Sequence, residues 1–146
     1  MAETGIRVED SMKAPMVTIL DTATLTEAAR KMKAKKIGSL VVVDRKNIPY
    51  GVITTTDLVY RALARKRAGK VRDFMSKPLI TVVQNADLNE AAKLMRDKGV
   101  KRLIVIKGDK PIGIISERDL VRISPSLYDL IAERGHYGKT LLFPGK

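Results

Sequence analysis

Asp57 and Asp119 are the residues of this chain whose setting suggests specific chemistry. Each lies three positions after a hydroxyl residue, Thr54 or Ser116, in matching stretches: Gly51-Val52-Ile53-Thr54-Thr55-Thr56-Asp57 and Gly113-Ile114-Ile115-Ser116-Glu117-Arg118-Asp119. A hydroxyl at a helix start with an acid three residues on is a capping box, which stabilises any helix. The same turn can hold a ligand. A helix N-terminus offers free N–H groups and a hydroxyl to a phosphate, and the two oxygens of an ionised Asp can accept from the vicinal 2′ and 3′ hydroxyls of a ribose. Because that acid repels a phosphate placed beside it, basic residues nearby must set the orientation. Catalysis has less support. There is no Cys and the one His, His136, lies in the tail, so cysteine nucleophiles and His-rich metal sites are excluded. No second acid accompanies Asp57 and Asp119 at a fixed spacing for acid–base work.

The elements that position these two acids come from an internal repeat. Shifted by 63 residues, VEDSMKAPMVTILDTATLTEAARKMKAKKIGSLVVVD lies over VRDFMSKPLITVVQNADLNEAAKLMRDKGVKRLIVIK, and at an offset of 62 PYGVITTTDLVY lies over PIGIISERDLVR. About twenty of some fifty aligned positions are identical. Leu25, Ala28, Ala29 and Met32 fall at i, i+3, i+4 and i+7, as do Leu88, Ala91, Ala92 and Met95, so each set marks one apolar helix face. Thr24 with Glu27 and Asp87 with Glu90 have capping-pair spacing. The β-branched runs Leu40–Val43 and Leu103–Ile106 read as strands buried on both faces. Each is followed by a polar loop, a second strand through Gly51 or Gly113, and a helix beginning near Thr55 or Glu117. Shorter strands are expected around Val17–Ile19 and Ile80–Val82. Each copy therefore reads short strand, helix, strand, strand, helix, behind a short amphipathic lead (VEDSMK, VRDFMS). A unit of ~60 residues buries too little surface for comfortable stability alone, so the copies are expected to pack about a pseudo-two-fold axis, with ligand clefts at their junction.

Composition narrows the partners. The net charge of +12, from 28 Lys and Arg against 16 Asp and Glu, attracts phosphate-bearing molecules. With two Phe, four Tyr and no Trp, the stacking surface used by single-strand binders is largely missing. The start MAETGIRVED has no basic segment followed by an apolar one, and no apolar run approaches the roughly 20 residues needed to span a bilayer. A soluble, cytoplasmic protein without membrane partners is expected.

The repeat, the Gly-hydrophobic-hydrophobic-Ser/Thr-x-x-Asp turn and the strand openings Ser39-Leu40-Val41-Val42-Val43-Asp44 and Arg102-Leu103-Ile104-Val105-Ile106 together resemble a tandem pair of cystathionine β-synthase (CBS) domains, also called a Bateman module. The resemblance covers roughly residues 8 to 123. It implies an α/β fold of two β-α-β-β-α repeats, residues 8–66 and 67–123, with 124–146 a C-terminal helical tail. It also implies two clefts for adenosine derivatives, a homodimer through the helices, and a regulatory role with no catalysis. Carried over by position, it assigns ribose to Asp57 and Asp119, with Thr54 and Ser116 close to ribose or phosphate. Ile37, Gly38 and Ser39 in copy one, and Val100, Lys101 and Arg102 in copy two, face the nucleotide, and Val17 and Ile80 contact adenine. The aliphatic members of this set also read as ordinary core.

The copies are not equivalent. Copy two has Lys101 and Arg102 where copy one has Gly38 and Ser39, so the second set is better equipped to neutralise phosphate, in whichever cleft it serves, and unequal occupancy is expected. The abundance of base favours AMP, then ADP or ATP, over the cationic S-adenosylmethionine. The stretch from Arg61 to Lys77 carries seven basic residues against Asp73, and reads as a solvated helix end and linker or as a phosphate-binding strip. A basic nucleic-acid binder or scaffold with vestigial clefts is therefore the alternative to a nucleotide sensor. Ser124 and Pro125 look like the cap and first residue of an extra helix through Leu127, Leu130 and Ile131, with Gly135 able to end it. The final KTLLFPGK either packs on a neighbouring subunit or is loose. With no further domain in the chain, the regulated partner is expected to be a separate protein or the chain's own oligomer.

Overall fold

The computed structural model describes residues 3–133. Gly135, His136 and the final KTLLFPGK lie outside the described residues. The chain divides into two compact units, one formed by Met16–Leu79, the other by the segment up to Pro15 together with the stretch from Ile80 onwards.

In the unit Met16–Leu79 the order is β1 (Thr18–Leu20), α1 (Leu25–Lys35), β2 (Ser39–Val43), β3 (Pro49–Thr54), a π-helical segment (Asp57–Leu63) and the short helix α2 (Val71–Phe74). β1 pairs parallel with β2, and β2 pairs antiparallel with β3. Leu40, Val41, Val42 and Val43 are all buried, which is why β2 reads as an unbroken apolar run. Thr24 caps α1 by accepting from the Glu27 N–H at 3.0 Å, while the Glu27 carboxylate accepts from the Thr24 N–H at 3.2 Å, so the expected capping box forms. The core joins Ile19, Ala28, Met32, Leu40 and Ile53 to Val71 and Phe74 of α2.

The second unit repeats the plan: β4 (Thr81–Val83), α3 (Leu88–Lys98), β5 (Arg102–Lys107), β6 (Lys110–Ser116) and α4 (Glu117–Ile123), then an added helix α5 (Leu127–Ala132). β4 runs parallel to β5, and β6 antiparallel to it. The short strands begin at Thr18 and Thr81, one residue later than the sequence suggested, which leaves Val17 and Ile80 as the residues entering them. α5 also starts later, because Ser124 ends α4 and Ser124-Pro125 form a turn in which Leu127 and Tyr128 N–H groups donate to the Ser124 and Pro125 carbonyls. The helix is no loose appendage. Leu127, Leu130 and Ile131 are buried in one core with Leu88, Ala92, Met95, Leu103, Ile115 and Leu120.

The amphipathic leads are exchanged between the copies. Residues Met12-Lys13 of the first lead lie along β6, with the Lys13 N–H donating to Ile114 O at 2.8 Å and Ile114 N–H to Lys13 O at 3.0 Å. Residues Met75-Ser76 of the second lead lie in the same way along β3, where Ser76 and Val52 exchange bonds of 2.8 and 3.0 Å. This crossing explains the glycine that opens each motif. A Cβ on Gly113 would stand 2.8 Å from the Lys13 carbonyl oxygen, and one on Gly51 would stand 3.0 Å from that of Ser76. The basic stretch from Arg61 is accordingly only partly a solvated linker, since Val71 and Phe74 are core and Arg67 stacks over the Phe74 ring at 5.1 Å.

Asp87 departs from the expected pairing with Glu90. Its carboxylate, 8% exposed, accepts from Asn89 N–H at 2.8 Å, Thr4 N–H at 3.0 Å, Thr4 Oγ1 at 2.9 Å and Gly5 N–H at 2.8 Å, tying the N-terminal segment to α3. Burial alone would raise its pKa, but these hydrogen bonds outweigh the desolvation and hold it below its ordinary value of 3.8. A carboxyl depressed by folding stabilises fully above the unfolded value and loses that contribution as pH falls through the folded one. The amide chemical shifts of Thr4 and Gly5 are therefore expected to titrate together, with a midpoint below 3.8. A midpoint at or above that value would contradict the tether.

Candidate functional site

In each unit the sequence-assigned residues meet at one end of a three-stranded sheet. In the unit Met16–Leu79, Ser39 opens β2 directly opposite Thr54, the last residue of β3. The Thr55 N–H donates to Gly38 O at 3.0 Å and the Val41 N–H to Val17 O at 3.0 Å, so Val17, Gly38, Ser39 and Thr54 gather there, with Ile37 packed against the core. In the other unit Arg102 opens β5 opposite Ser116, the last residue of β6. The Glu117 N–H donates to Lys101 O at 2.8 Å and the Ile104 N–H to Ile80 O at 2.9 Å, while Val100 and Ile80 pack against the core. Gly38 and Lys101 are exposed; Ser39 and Arg102 are half-buried.

The two carboxylates sit at the start of the helix that follows. Asp57 is 6% exposed and Asp119 3%. Both are turned back onto their own caps. One oxygen of Asp119, Oδ2, accepts from Ser116 N–H at 2.9 Å and Ser116 Oγ at 2.9 Å, and the Asp119 N–H donates to Ser116 Oγ at 3.1 Å. Asp57 Oδ2 likewise accepts from Thr54 N–H at 2.9 Å and Thr54 Oγ1 at 3.1 Å. Both lone pairs of Oδ2 are thereby engaged in the cap, which leaves Oδ1 as the carboxylate oxygen the cap does not use.

A cation already holds that oxygen. Arg122 Nη2 donates to Asp119 Oδ1 at 2.7 Å, and Lys13 Nζ lies 3.9 Å from the same atom. In the other unit Arg61 Nη1 donates to Asp57 Oδ1 at 3.3 Å and to the Phe74 carbonyl at 2.9 Å. The copies differ in helical geometry here. Asp119 and Arg122 are an i, i+3 pair on the regular helix α4, whereas Asp57 and Arg61 are an i, i+4 pair on a widened π-helical turn whose Ala64 N–H reaches Val59 O at 2.8 Å.

The roles of Arg122 and Lys13 were not legible from the sequence, and Arg61 was read only as part of a basic run. For the arginines a signal existed: a base three or four residues after the motif acid shares its helix face. Lys13 carried none, because it reaches Asp119 only through the crossing of the lead. Arg122 and Lys13 have side chains that are each 62% exposed, and Arg61 47%, so these cations are held at the surface and can exchange against solvent or a ligand. No group of three or more His, Cys, Asp or Glu side chains capable of holding a metal occurs among the described residues. No helix among them is long and apolar enough to cross a membrane.

Residues 8–64 and 71–126 each match the CBS domain family. Over 133 residues, 88% of this chain, the sequence is 40% identical to the uncharacterized protein MK0525 of Methanopyrus kandleri, spanning 68% of that protein. It is 38% identical over 100 residues, 68% of this chain, to an uncharacterized 17.7 kDa protein of Acidianus ambivalens, of which it spans 61%. The chain thus accounts for about two thirds or less of the length of these relatives. Among solved structures, the CBS domain protein PAE2072 of Pyrobaculum aerophilum, complexed with AMP, superposes with a TM-score of 0.71 at 26% identity, covering 88% of this chain and 99% of that one. Two copies of one α/β repeat, each ending in the same hydroxyl-to-acid turn, make this chain a member of the CBS domain family.

Proposed function

We propose that the chain is a regulatory module that binds an adenine nucleotide and performs no chemistry, with AMP the first choice, ADP or ATP next, and S-adenosylmethionine less favoured on charge. The observation that carries the reading is the pair of buried carboxylates at matched sheet ends, each with its second oxygen held by an exposed arginine. A ribose hydroxyl takes a place on Oδ1 beside or instead of the arginine, and the displaced guanidinium is then free for phosphate. Lys101 and Arg102 add cationic residues to the Asp119 side, so that copy is the tighter one. Support also comes from the likeness to a CBS protein complexed with AMP. Regulation requires that the nucleotide bind two states of the molecule with different affinities.

The test is thermal denaturation with each nucleotide. At one hundred times Kd a ligand adds about 2.7 kcal/mol, which raises the melting temperature of a chain this long by roughly 5–10 °C. If AMP, ADP and ATP at millimolar concentration all leave the transition where it was, the reading fails. The net charge of +12 supports a second reading, a nucleic-acid binder with unused clefts. That one requires RNA or DNA binding with a steep salt dependence that survives Asp119→Ala.

A further inference from the structure

In the unit Met16–Leu79 the residues assigned to the nucleotide occupy one end of the sheet, where Ser39 opens β2 and Thr54 closes β3. At the other end, where β1 stops and the β2–β3 turn begins, an open recess of 390 Å³ is lined by Asp21, Thr22, Asp44, Arg45, Lys46 and Arg72. The backbone here is the same in both copies. The Asp21 N–H donates to Val43 O at 2.9 Å and the Arg72 N–H to Asp21 O at 3.0 Å, as the Gln84 N–H donates to Ile106 O at 2.9 Å and the Glu9 N–H to Gln84 O at 2.9 Å. The side chains differ. By the repeat offset the second copy carries Gln84 for Asp21, Lys107 for Asp44, Ile112 for Tyr50 and Glu9 for Arg72. Since that copy builds the same backbone with a neutral amide, two reversed charges and an aliphatic side chain in these places, the fold does not require the set found in the first copy.

What the set leaves unsatisfied describes a ligand. The Tyr50 hydroxyl donates to Asp21 Oδ2 at 2.6 Å, and this bond, with burial, holds the phenol above its ordinary pKa of 10.0, so the proton stays on the tyrosine. Asp21 Oδ1 is buried without a hydrogen-bond partner, a state whose cost a single donor would remove. Asp44 Oδ1 accepts from the Lys46 and Ile48 N–H groups at 2.8 and 3.0 Å, which fixes the turn, while its Oδ2 accepts from no group among the described residues. Arg45, Lys46 and Arg72 are exposed, and none of them forms an ion pair among the described residues. Free acceptors therefore stand beside uncompensated cations. A bare anion would be drawn by the cations and repelled by the two carboxylates. We propose that this recess binds a phosphate monoester carrying free hydroxyls, its phosphate on Arg45, Lys46 and Arg72 and its hydroxyls donating to Asp21 and Asp44. Asp21 is half-buried and lines the recess, so a small rotation of its carboxylate presents Oδ1 to such a ligand. The site does not rest on nucleotide binding at Asp57 or Asp119.

The probes are glycerol 3-phosphate and inorganic phosphate, each titrated at millimolar concentration into the full-length 15N-labelled chain. Saturable shifts are expected at the amides of Thr22, Lys46 and Arg72, with the ester bound at least about tenfold more tightly, as one hydroxyl donating to a carboxylate supplies. Asp21→Gln and Arg72→Glu each adopt the residue type of the second copy, so both variants should fold, and their spectra report that directly. Asp21→Gln is expected to bring the two affinities within about threefold of each other, weakening the ester while relieving a repulsion on phosphate. Arg72→Glu should weaken both at least about tenfold. Four results would overturn the assignment: no saturable shift with the ester, phosphate bound as tightly as the ester, a preference that Asp21→Gln leaves unchanged, or shifts centred on Ser116 and Asp119.

Discussion

Asp119→Ala is expected to abolish the larger part of the AMP-induced rise in melting temperature and, without ligand, to lower the melting temperature itself by roughly 5–10 °C. The second effect follows from what the side chain does in the empty protein. At 3% exposure its Oδ2 completes the cap of α4 through two hydrogen bonds from Ser116, and its Oδ1 holds Arg122. Capping and charge-assisted hydrogen bonds of this kind together contribute about 2–3 kcal/mol, and a chain of this length loses about 2–4 °C per kcal/mol. Ser116→Ala removes one of the two donors to Oδ2 and should cost about 1 kcal/mol while leaving Oδ1 in place. Comparing the two variants therefore separates a weakened cap from a lost acceptor. Calorimetry of both, with and without AMP, decides it: an Asp119→Ala protein that keeps the full ligand-induced rise rules out the carboxylate as the sugar's partner.

Leu127→Ala should be at least as damaging, at about 2–5 kcal/mol in urea denaturation, because the side chain is fully buried among α3, α4 and α5. Leu63→Ala, at 74% exposure, should stay within about 0.5 kcal/mol. The contrast tests whether residues beyond the repeat are a detachable tail. Equal, small effects at both positions would mean that α5 contributes nothing to its unit.

Much of this arrangement was legible because it is local. Apolar runs at Leu40–Val43 and Leu103–Ile106 declared buried strands, and Thr24 with Glu27 declared a helix start, since each signal lies within a few residues of its consequence. What escaped prediction depends on partners far along the chain. Asp87 has the spacing of a cap residue and caps α3 through the Asn89 N–H, but its carboxylate also accepts from Thr4 and Gly5, more than eighty residues away. Gly51 and Gly113 were visible as motif residues, but the backbone that passes over each belongs to a lead from the other repeat. Periodicity reports which face of a segment is apolar and says nothing about which sheet receives it. The same limit applies at the site. Thr54, Asp57, Ser116 and Asp119 could be found by spacing alone, whereas the lysine beside Asp119 could not, because a lead has to fold across the sheet before Lys13 comes near.

Exchange of the leads also imposes an order on synthesis. Residues 16–79 form one compact unit whose three strands pair with one another, so its sheet can close once Leu79 has left the ribosome. The opening residues have no such fortune. Val8 donates to Ala86 and Lys13 pairs with Ile114, so residues 8–13 must wait, unpaired, until residues 86–114 have been made.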